Sequence, residues 1–396
     1  MQRTVCLRLT STPAEDAVLA TTLAQWRACF NAVAALGWEA SQSNSVALHK
    51  ATYYELRARH PELPSQLVIS ARMKAAEALT SAFALRRTGK RVGAPHTERG
   101  SIRYDARTYR LEAERGIVGL ATVAGRLKLA YHLPAHAKRW MERASGFDSA
   151  DLVRRHSGWW LHVVVTIDPP VIAPNGVVVG VDLGLNRPAV TSEALFLGKR
   201  HWKEIEQRHF RLKRRLQSKG TKSAKRHLKA LRHRQARFRK DCDHVLSKRI
   251  VESVEPGSVI VLEDLTQIRS RTKQRSARQR RRHHGWSYAQ LRTFVTAKAE
   301  ERGCVVAVVD PAHTSQRCGR CGHTERANRP RQAVFRCRCC GYEVHADLNA
   351  ARNIAWKYHA GTGRTDPGGR PVNAPIVGET CSHAFTHKPP PSGGGS

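Results

Sequence analysis

Two Cys-x2-Cys pairs, Cys318 with Cys321 and Cys337 with Cys340, stand fifteen residues apart, and no other feature restricts the folding of this chain so tightly. Each pair makes a knuckle that turns two thiolates toward one point. Two knuckles joined by a short loop present four sulfurs at tetrahedral spacing, the ligand set of structural zinc. The alternative, free or oxidised thiols, requires an oxidising compartment. The other six of the ten cysteines are scattered, unlike the framework of a secreted disulfide protein. Cys339 is a spare with poorer knuckle geometry than Cys340, and His323 and His345 read as solvent or phosphate contacts. With all four positions filled by protein, zinc would fold this segment and take no part in catalysis.

Charge sets the second limit. Lys and Arg number 68 against 32 Asp and Glu, a net charge of +36 over 396 residues, with 41% hydrophobic residues to build a core. That length suggests two or three domains. Self-repulsion of this size calls for a polyanionic partner, and nucleic acid is the commonest. The charge is also concentrated: Trp202 to Ile250 holds 18 Lys or Arg against 4 acids, and Arg269 to Arg282 holds 8 with no acid. The two stretches supply more than half of the excess, which favours a binding groove over scattered solubility charge. Lys213, Arg214, Arg215, Lys225, Arg226, Arg232, Arg234, Arg237 and Arg239 are candidates for phosphate contact, against the plainer reading of a solvated helical face. Arg275, Arg278, Arg280, Arg281 and Arg282 suit a lid that orders over the substrate. Trp26, Tyr53, Tyr54, Trp159 and Trp160 read as core packing ahead of base stacking.

Several classes fall away. No apolar run approaches the ~20 residues of a membrane span, Met1 to Ser11 has no signal-peptide core, and there is no Gly-rich phosphate loop. The expectation is a cytoplasmic, nucleoid-associated protein with no membrane partner and no small-molecule substrate.

Along the chain, residues 2 to 10 alternate as a half-buried strand with Val5, Leu7 and Leu9 on one face. Thr12, Pro13 and Glu15 open a helix as N-cap, first-turn proline and capping-box acid. A second helical stretch starts near Ser65 and ends in the basic turn Arg86 to Arg91. From Ser101 to Asp168, short alternating runs broken by glycines predict a small antiparallel barrel or sandwich. Val177 to Val181 reads as a buried strand, Pro188 to Leu197 as its hairpin partner, and Trp202 to Ile250 as helix with a break at Ser218 to Ser223. Strands over Val259 to Leu262 and Val305 to Val309, a helix from Trp286 to Arg302 between them, and a final helix from Ala346 to Tyr358 complete the pattern. Residues 360–396, rich in Gly, Pro and Ser, are expected to be disordered.

Three acids end these elements: Asp182 after the first buried strand, Glu263 after the second, Asp347 at the start of the last helix. Singly, each has a plain reading as a turn residue, a solvated strand end or an N-terminal helix charge. Together, acids at the ends of buried strands and a helix start can converge on two divalent ions about 3.5 to 4 Å apart. Hard oxygen ligands select magnesium or manganese. Asp264 and Asp310 rank behind them as turn or supporting residues.

The ordered set Val179-Gly180-Val181-Asp182-Leu183-Gly184-Leu185, Val261-Leu262-Glu263-Asp264-Leu265, Val309-Asp310-Pro311-Ala312-His313-Thr314-Ser315-Gln316, the two knuckles and His345-Ala346-Asp347-Leu348-Asn349-Ala350-Ala351-Arg352-Asn353 resembles the TnpB (OrfB) transposon-encoded family. The resemblance covers roughly residues 177–358 and extends, more distantly, to the small type V CRISPR effectors. It implies an α/β multi-domain protein: a RuvC (RNase H-like) nuclease domain over 171–312 and 342–359, with an inserted zinc ribbon at 313–341. Ahead of it would lie a β-barrel wedge domain (1–10 and 92–170) with an inserted helical recognition domain (11–91). It further implies an RNA-guided DNA endonuclease in which Asp182, Glu263 and Asp347 bind magnesium or manganese, with a guide RNA from the transposon end and target double-stranded DNA as partners to a monomer. The intact acidic trio argues against a nuclease-dead regulator. Direct strand transfer of transposon ends by the same acids, and non-catalytic nucleic-acid binding through the zinc ribbon, are the alternatives.

Overall fold

The computed structural model describes residues 1–266 and 287–365, with side chains described to 361. The chain forms two compact units, Met1–Asp168 and Pro169–Ser396. Arg275, Arg278, Arg280, Arg281, Arg282 and residues 366–396 lie outside the described residues.

In the first unit, β1 (Gln2–Thr10) is the centre of a seven-stranded antiparallel sheet in the order β2-β6-β7-β1-β5-β4-β3. The others are β2 (Ile102–Tyr104), β3 (Tyr109–Glu112), β4 (Ile117–Thr122), β5 (Gly125–His132), β6 (Gly146–Arg155) and β7 (Gly158–Thr166). The two edge strands, β2 and β3, are joined by residues 105–108 alone. At about 4.8 Å per gap a flat sheet would hold its edges roughly 29 Å apart, and this link reaches at most about 18 Å. The sheet therefore curls toward a barrel, and two tyrosines tie it across: Tyr104 Oη donates to Ala121 O (3.1 Å) and Tyr109 Oη to Asp148 O (3.0 Å).

Three helices enter between β1 and β2. The capping box forms as the sequence requires, Thr12 Oγ1 accepting from Glu15 N and Glu15 accepting from Thr12 N, and starts α1 (Pro13–Glu39). The third helix, α3 (Ser65–Arg87), also matches the periodicity. Between them lies α2 (Ser45–Arg59), absent from the sequence reading, capped by Asn44 and burying only Leu48, Thr52 and Leu56. A short α4 (Ala135–Glu142) follows β5. Trp26 and Trp159 are core residues, whereas Tyr54 is exposed.

The second unit is built on a six-stranded sheet, β10-β9-β8-β11-β12-β15. β8 (Val178–Asp182), β11 (Val259–Glu263) and β12 (Val305–Val309) are parallel. β9 (Ala189–Thr191) and β10 (Phe196–Leu197) add antiparallel beside β8. β15 (Gly363–Thr365) adds antiparallel beside β12, so three residues of the segment expected to lack order, 360–396, pair as a strand.

Alternation along these strands sorts the two faces. Val179, Val181, Ile260, Leu262 and Val306 pack with α6 (Lys222–Glu252) and α7 (Tyr288–Arg302) through Leu246, Ile250, Val251, Leu291 and Val295. The opposite parity, Val261, Ala307 and Val309, packs against Ile354 of α8 (Ala346–Lys357). Ahead of α6 runs α5 (Arg200–Lys219), which buries no residue; the break falls at Gly220, with φ +65°, and Thr221 caps α6 by accepting from Ala224 N. A hairpin of β13 (Val334–Arg336) and β14 (Glu343–His345) separates the cysteines from α8.

Asp243 of α6 is 5% exposed. Burial pushes its carboxyl up to about 6, with Glu206 adding to the rise and Ser287 and Arg239 opposing it. The folded value lies above the unfolded one of about 3.9, so the stability from holding the proton is present below pH ~4 and lost as pH rises through about 6. Asp243→Asn is expected to raise the melting temperature at pH 7.5 by roughly 2 to 4 °C, about 1 kcal/mol after solvent screening, and to leave it unchanged near pH 4. Thermal melts at the two pH values check this.

Candidate metal and nucleic-acid sites

The parity that sends Val261 and Val309 toward α8 does the same for Asp182 and Glu263, which follow Gly180 and Val261 by two residues. Leu262 pairs with Val181 in parallel register, so both acids leave the sheet at the same edge. Gly180 lets the helix come down: a Cβ there would meet Ala351 O at 2.1 Å and Ala355 N at 2.6 Å. Any side chain at 180 would lift α8 off the sheet. Asp347, Ala351 and Ala355 form one stripe of α8, four residues per step. One helical turn of about 6 Å from Ala351 back to Asp347 matches two strand residues, about 6.6 Å, from Gly180 on to Asp182. The third acid is thereby set beside the first.

The charges register this proximity. Burial raises the Asp182 carboxyl well above the usual range, Glu263 and Asp347 raise it further, and Arg329 opposes. Glu263 is likewise raised by burial and by Asp310, against Thr314 and Lys357. Thr314 Oγ1 donates to Glu263 Oε1 at 2.6 Å. Arg329 Nη2 donates to Asp347 Oδ1 at 3.0 Å and to Gln332 O at 2.6 Å. The three carboxylates are wider apart than a single-ion cage: among the described residues, the one set of three or more His, Cys, Asp or Glu with ligand atoms within 4.8 Å of one another is the cysteine quartet. Their all-oxygen donor set nonetheless suits a hard divalent cation. Of the supporting acids, Asp264 Oδ1 accepts from Thr266 N and Oγ1, and Asp310 sits by Lys357, whose ammonium donates to the Asp310 carbonyl.

Cys318, Cys321, Cys337 and Cys340 come together as their spacing requires, with Sγ to Sγ distances of 3.7 Å (Cys318 to Cys340) and 3.5 Å (Cys321 to Cys337). Bonds of 2.3 Å at the tetrahedral angle put sulfurs about 3.8 Å apart, so the quartet fits zinc. Burial raises Cys318, while Cys340, against burial, is brought down to about 7 by Tyr342 N–H and the neighbouring thiols. Cys339 is exposed and outside the quartet. His345 is half-buried; its Nδ1 accepts from Asp347 N at 3.2 Å, capping α8, and its ring meets Phe196 edge-on. His323 pairs with Glu325 at 3.2 Å.

Lys213, Arg214, Arg215, Lys225, Arg226, Arg232, Arg234 and Arg237 are exposed on α5 and α6; Arg239 is half-buried and pairs with Glu206 at 3.6 Å. Sequence reasoning missed Arg329 and Thr314. Nothing in local pattern marks one arginine among 68 basic residues; only its place directly after Asn328, in the loop between knuckles, could have drawn attention.

The second unit thus joins an acid-tipped mixed α/β sheet to a four-thiol cluster with the spacing of a metal site. Two segments of the chain match known family models. Residues 162–267 match the OrfB_IS605 model, "Probable transposase", and residues 288–354 match the Cas12f1-like TNB domain model. The CRISPR-associated endodeoxyribonuclease Cas12f1 of Sulfoacidibacillus thermotolerans is 44% identical over 133 residues, 32% of this chain and 29% of that protein. The "Putative RNA-guided DNA endonuclease InsQ" of Escherichia coli K12 is 30% identical over 243 residues, 56% of this chain and 60% of that protein. A solved Cas12f1–sgRNA–target DNA complex aligns over 90% of this chain and 99% of its own at 17% identity and a TM-score of 0.37. The chain spans about a third of the length of the Cas12f1 relatives it matches. Over these segments the chain is similar to the TnpB (OrfB) and Cas12f proteins. Among the described residues, no helix is long and apolar enough to cross a membrane.

Proposed function

We propose that this protein is an RNA-guided DNA endonuclease of a transposable element. Its second unit would act as an RNase H-like (RuvC) catalytic domain with an inserted zinc ribbon, and its first unit as the wedge and recognition domains. The observation that carries the reading is the placing of Asp182 and Glu263 at adjacent strand ends on the α8 face of the sheet with Asp347 in the first turn of α8, where Glu263 and Asp347 both raise the Asp182 carboxyl. The strand order, antiparallel β10-β9-β8 continued by parallel β11 and β12, supports an RNase H-like fold.

The three carboxylates would hold magnesium or manganese, which when bound supplies an activated water and charge for the departing 3′ oxygen. The chain's own residues do the rest. Asp182 and Glu263 project from rigid strand ends, and Asp347 from the first turn of a packed helix, so the oxygens are placed before substrate arrives. Arg329, next to Asp347, brings a planar donor to where a scissile phosphate would lie. The arginines and lysines of α5 and α6 would hold guide or heteroduplex backbone, leaving sequence to base pairing. The cysteine quartet would hold zinc for folding alone.

Sequencing of RNA that copurifies with the protein tests the reading. A single transposon-end species that directs magnesium-dependent cleavage of matched DNA is the expected result; bulk cellular RNA with no guided cleavage would overturn it. The "Probable transposase" description of the matched family favours a second reading, direct strand transfer. Joining of transposon ends by RNA-free protein would mark that one.

A further inference from the structure

Glu263 has three side-chain torsions at a strand end, and left alone its carboxylate would sample many positions. The hydroxyl that holds it belongs to Thr314, which is 3% exposed and lies in the loop between β12 and the first knuckle. Thr314 Oγ1 stands 2.6 Å from Glu263 Oε1 and 3.0 Å from Pro311 O. A hydroxyl has one proton, and the shorter, charge-assisted bond to the carboxylate takes it. That engages Oε1 and leaves Oε2 as the free ligand oxygen.

Thr314 is itself pinned from α8. Asn353, fully buried, donates from Nδ2 to Thr314 O at 2.8 Å and to Arg317 O at 2.6 Å, and its Oδ1 accepts from Arg317 Nη1 at 3.1 Å. One turn earlier Asn349, also fully buried, accepts from Gly319 N at 2.9 Å and donates to Arg317 O at 2.7 Å. Arg317 closes the group by lying 3.5 Å over the Trp356 ring. The helix that carries Asp347 therefore grips the loop that steers Glu263.

We propose that Thr314 is a positioning residue for the divalent-ion site: its hydroxyl aims Glu263, and Asn353 fixes its backbone to the helix bearing Asp347. The proposal rests on the three-carboxylate reading above. Removing the hydroxyl should weaken ion binding while leaving DNA binding and the ribbon untouched.

The test is Mn2+ titration of the full chain, read from the free-ion paramagnetic signal, with zinc content and melting temperature as folding controls. Thr314→Val, close in volume, is expected to bind Mn2+ about 10-fold more weakly, and Thr314→Ser to bind as the wild type does. In a Glu263→Gln background Thr314→Val should have no further effect, because the group it aims is already lost. In guided cleavage, half-saturating magnesium should rise about 10-fold for Thr314→Val with the KM for DNA unchanged. A site lost in Glu263→Gln yet intact in Thr314→Val would overturn the positioning role alone, as would a Thr314→Ser variant as weak as Thr314→Val. Equal Mn2+ binding by wild type and Glu263→Gln would overturn the three-carboxylate reading and this role with it.

Discussion

Asp182→Ala and Asp347→Ala are each expected to reduce the proposed guided DNA cleavage by at least about a thousandfold, roughly 4 kcal/mol of barrier, while affinity for RNA and DNA should stay within about threefold of the wild type. The two outcomes separate because they have different sources. On the proposed reading cleavage needs all three carboxylates around a divalent charge, and the Asp182 carboxyl feels both of the others. Affinity would come from cations: α5 and α6 expose their lysines and arginines to solvent, and removing one recessed anion subtracts nothing from them. Loss of a buried anion crowded by like charges also relieves the folded state, so Asp182→Asn should melt higher than wild type when divalent ions are withheld. Single-turnover cleavage, filter binding and melting on the same preparations check all three statements. A parallel fall in binding and cleavage would show that Asp182 holds the fold together and would contradict the metal role.

The second large effect is expected from zinc. Cys337→Ser, or a strong chelator, should release one zinc per chain and unfold the ribbon around residues 317–345. The hairpin of β13 and β14 has two strands and a buried core of only Cys318, Phe335, Cys337 and Ala346. A core that small cannot hold a hairpin folded in water. Zinc contributes about 10 to 16 kcal/mol in comparable peptides, so loss of one ligand removes several kcal/mol locally. The damage should not stop at the ribbon. β14 ends at His345, which caps α8, and Asp347 follows two residues on. Arg329, the partner of Asp347, sits in the same segment. Cleavage should therefore fall with zinc, although the cysteines touch no substrate. Hydrogen exchange checks this: amides of 317–345 should lose protection while β8, β11 and β12 keep theirs. Cys339→Ser, outside the quartet, is expected to change neither zinc content nor exchange. A Cys337→Ser protein that retains zinc and protection would refute the assignment.

Local chemistry made much of this legible. The Thr12 to Glu15 capping box, the alternation of β1, the basic helix pair broken at Gly220 and the Cys-x2-Cys knuckles each depend on residues a few positions apart, and each forms where the sequence puts it. The α2 helix escaped because its inward face is three residues, Leu48, Thr52 and Leu56, and its remaining surface looks like any polar segment. Only neighbouring helices reveal that such a thin stripe is enough.

The acidic trio lies between these cases. Sequence alone determined that acids end two buried strands and open a helix, because strand parity and helix capping are local rules. Whether they share a face was decided by the packing of α8 on β8, which turns on Gly180 having no side chain where Ala351 and Ala355 pass. The hydrogen bonds of Arg329, Thr314 and Asn353 belong wholly to the tertiary structure. Their partners are 18, 51 and 39 residues away. A hydrogen bond across that distance leaves no period, spacing or composition in the chain, since its geometry exists only after the hydrophobic faces on both sides of the sheet have been buried.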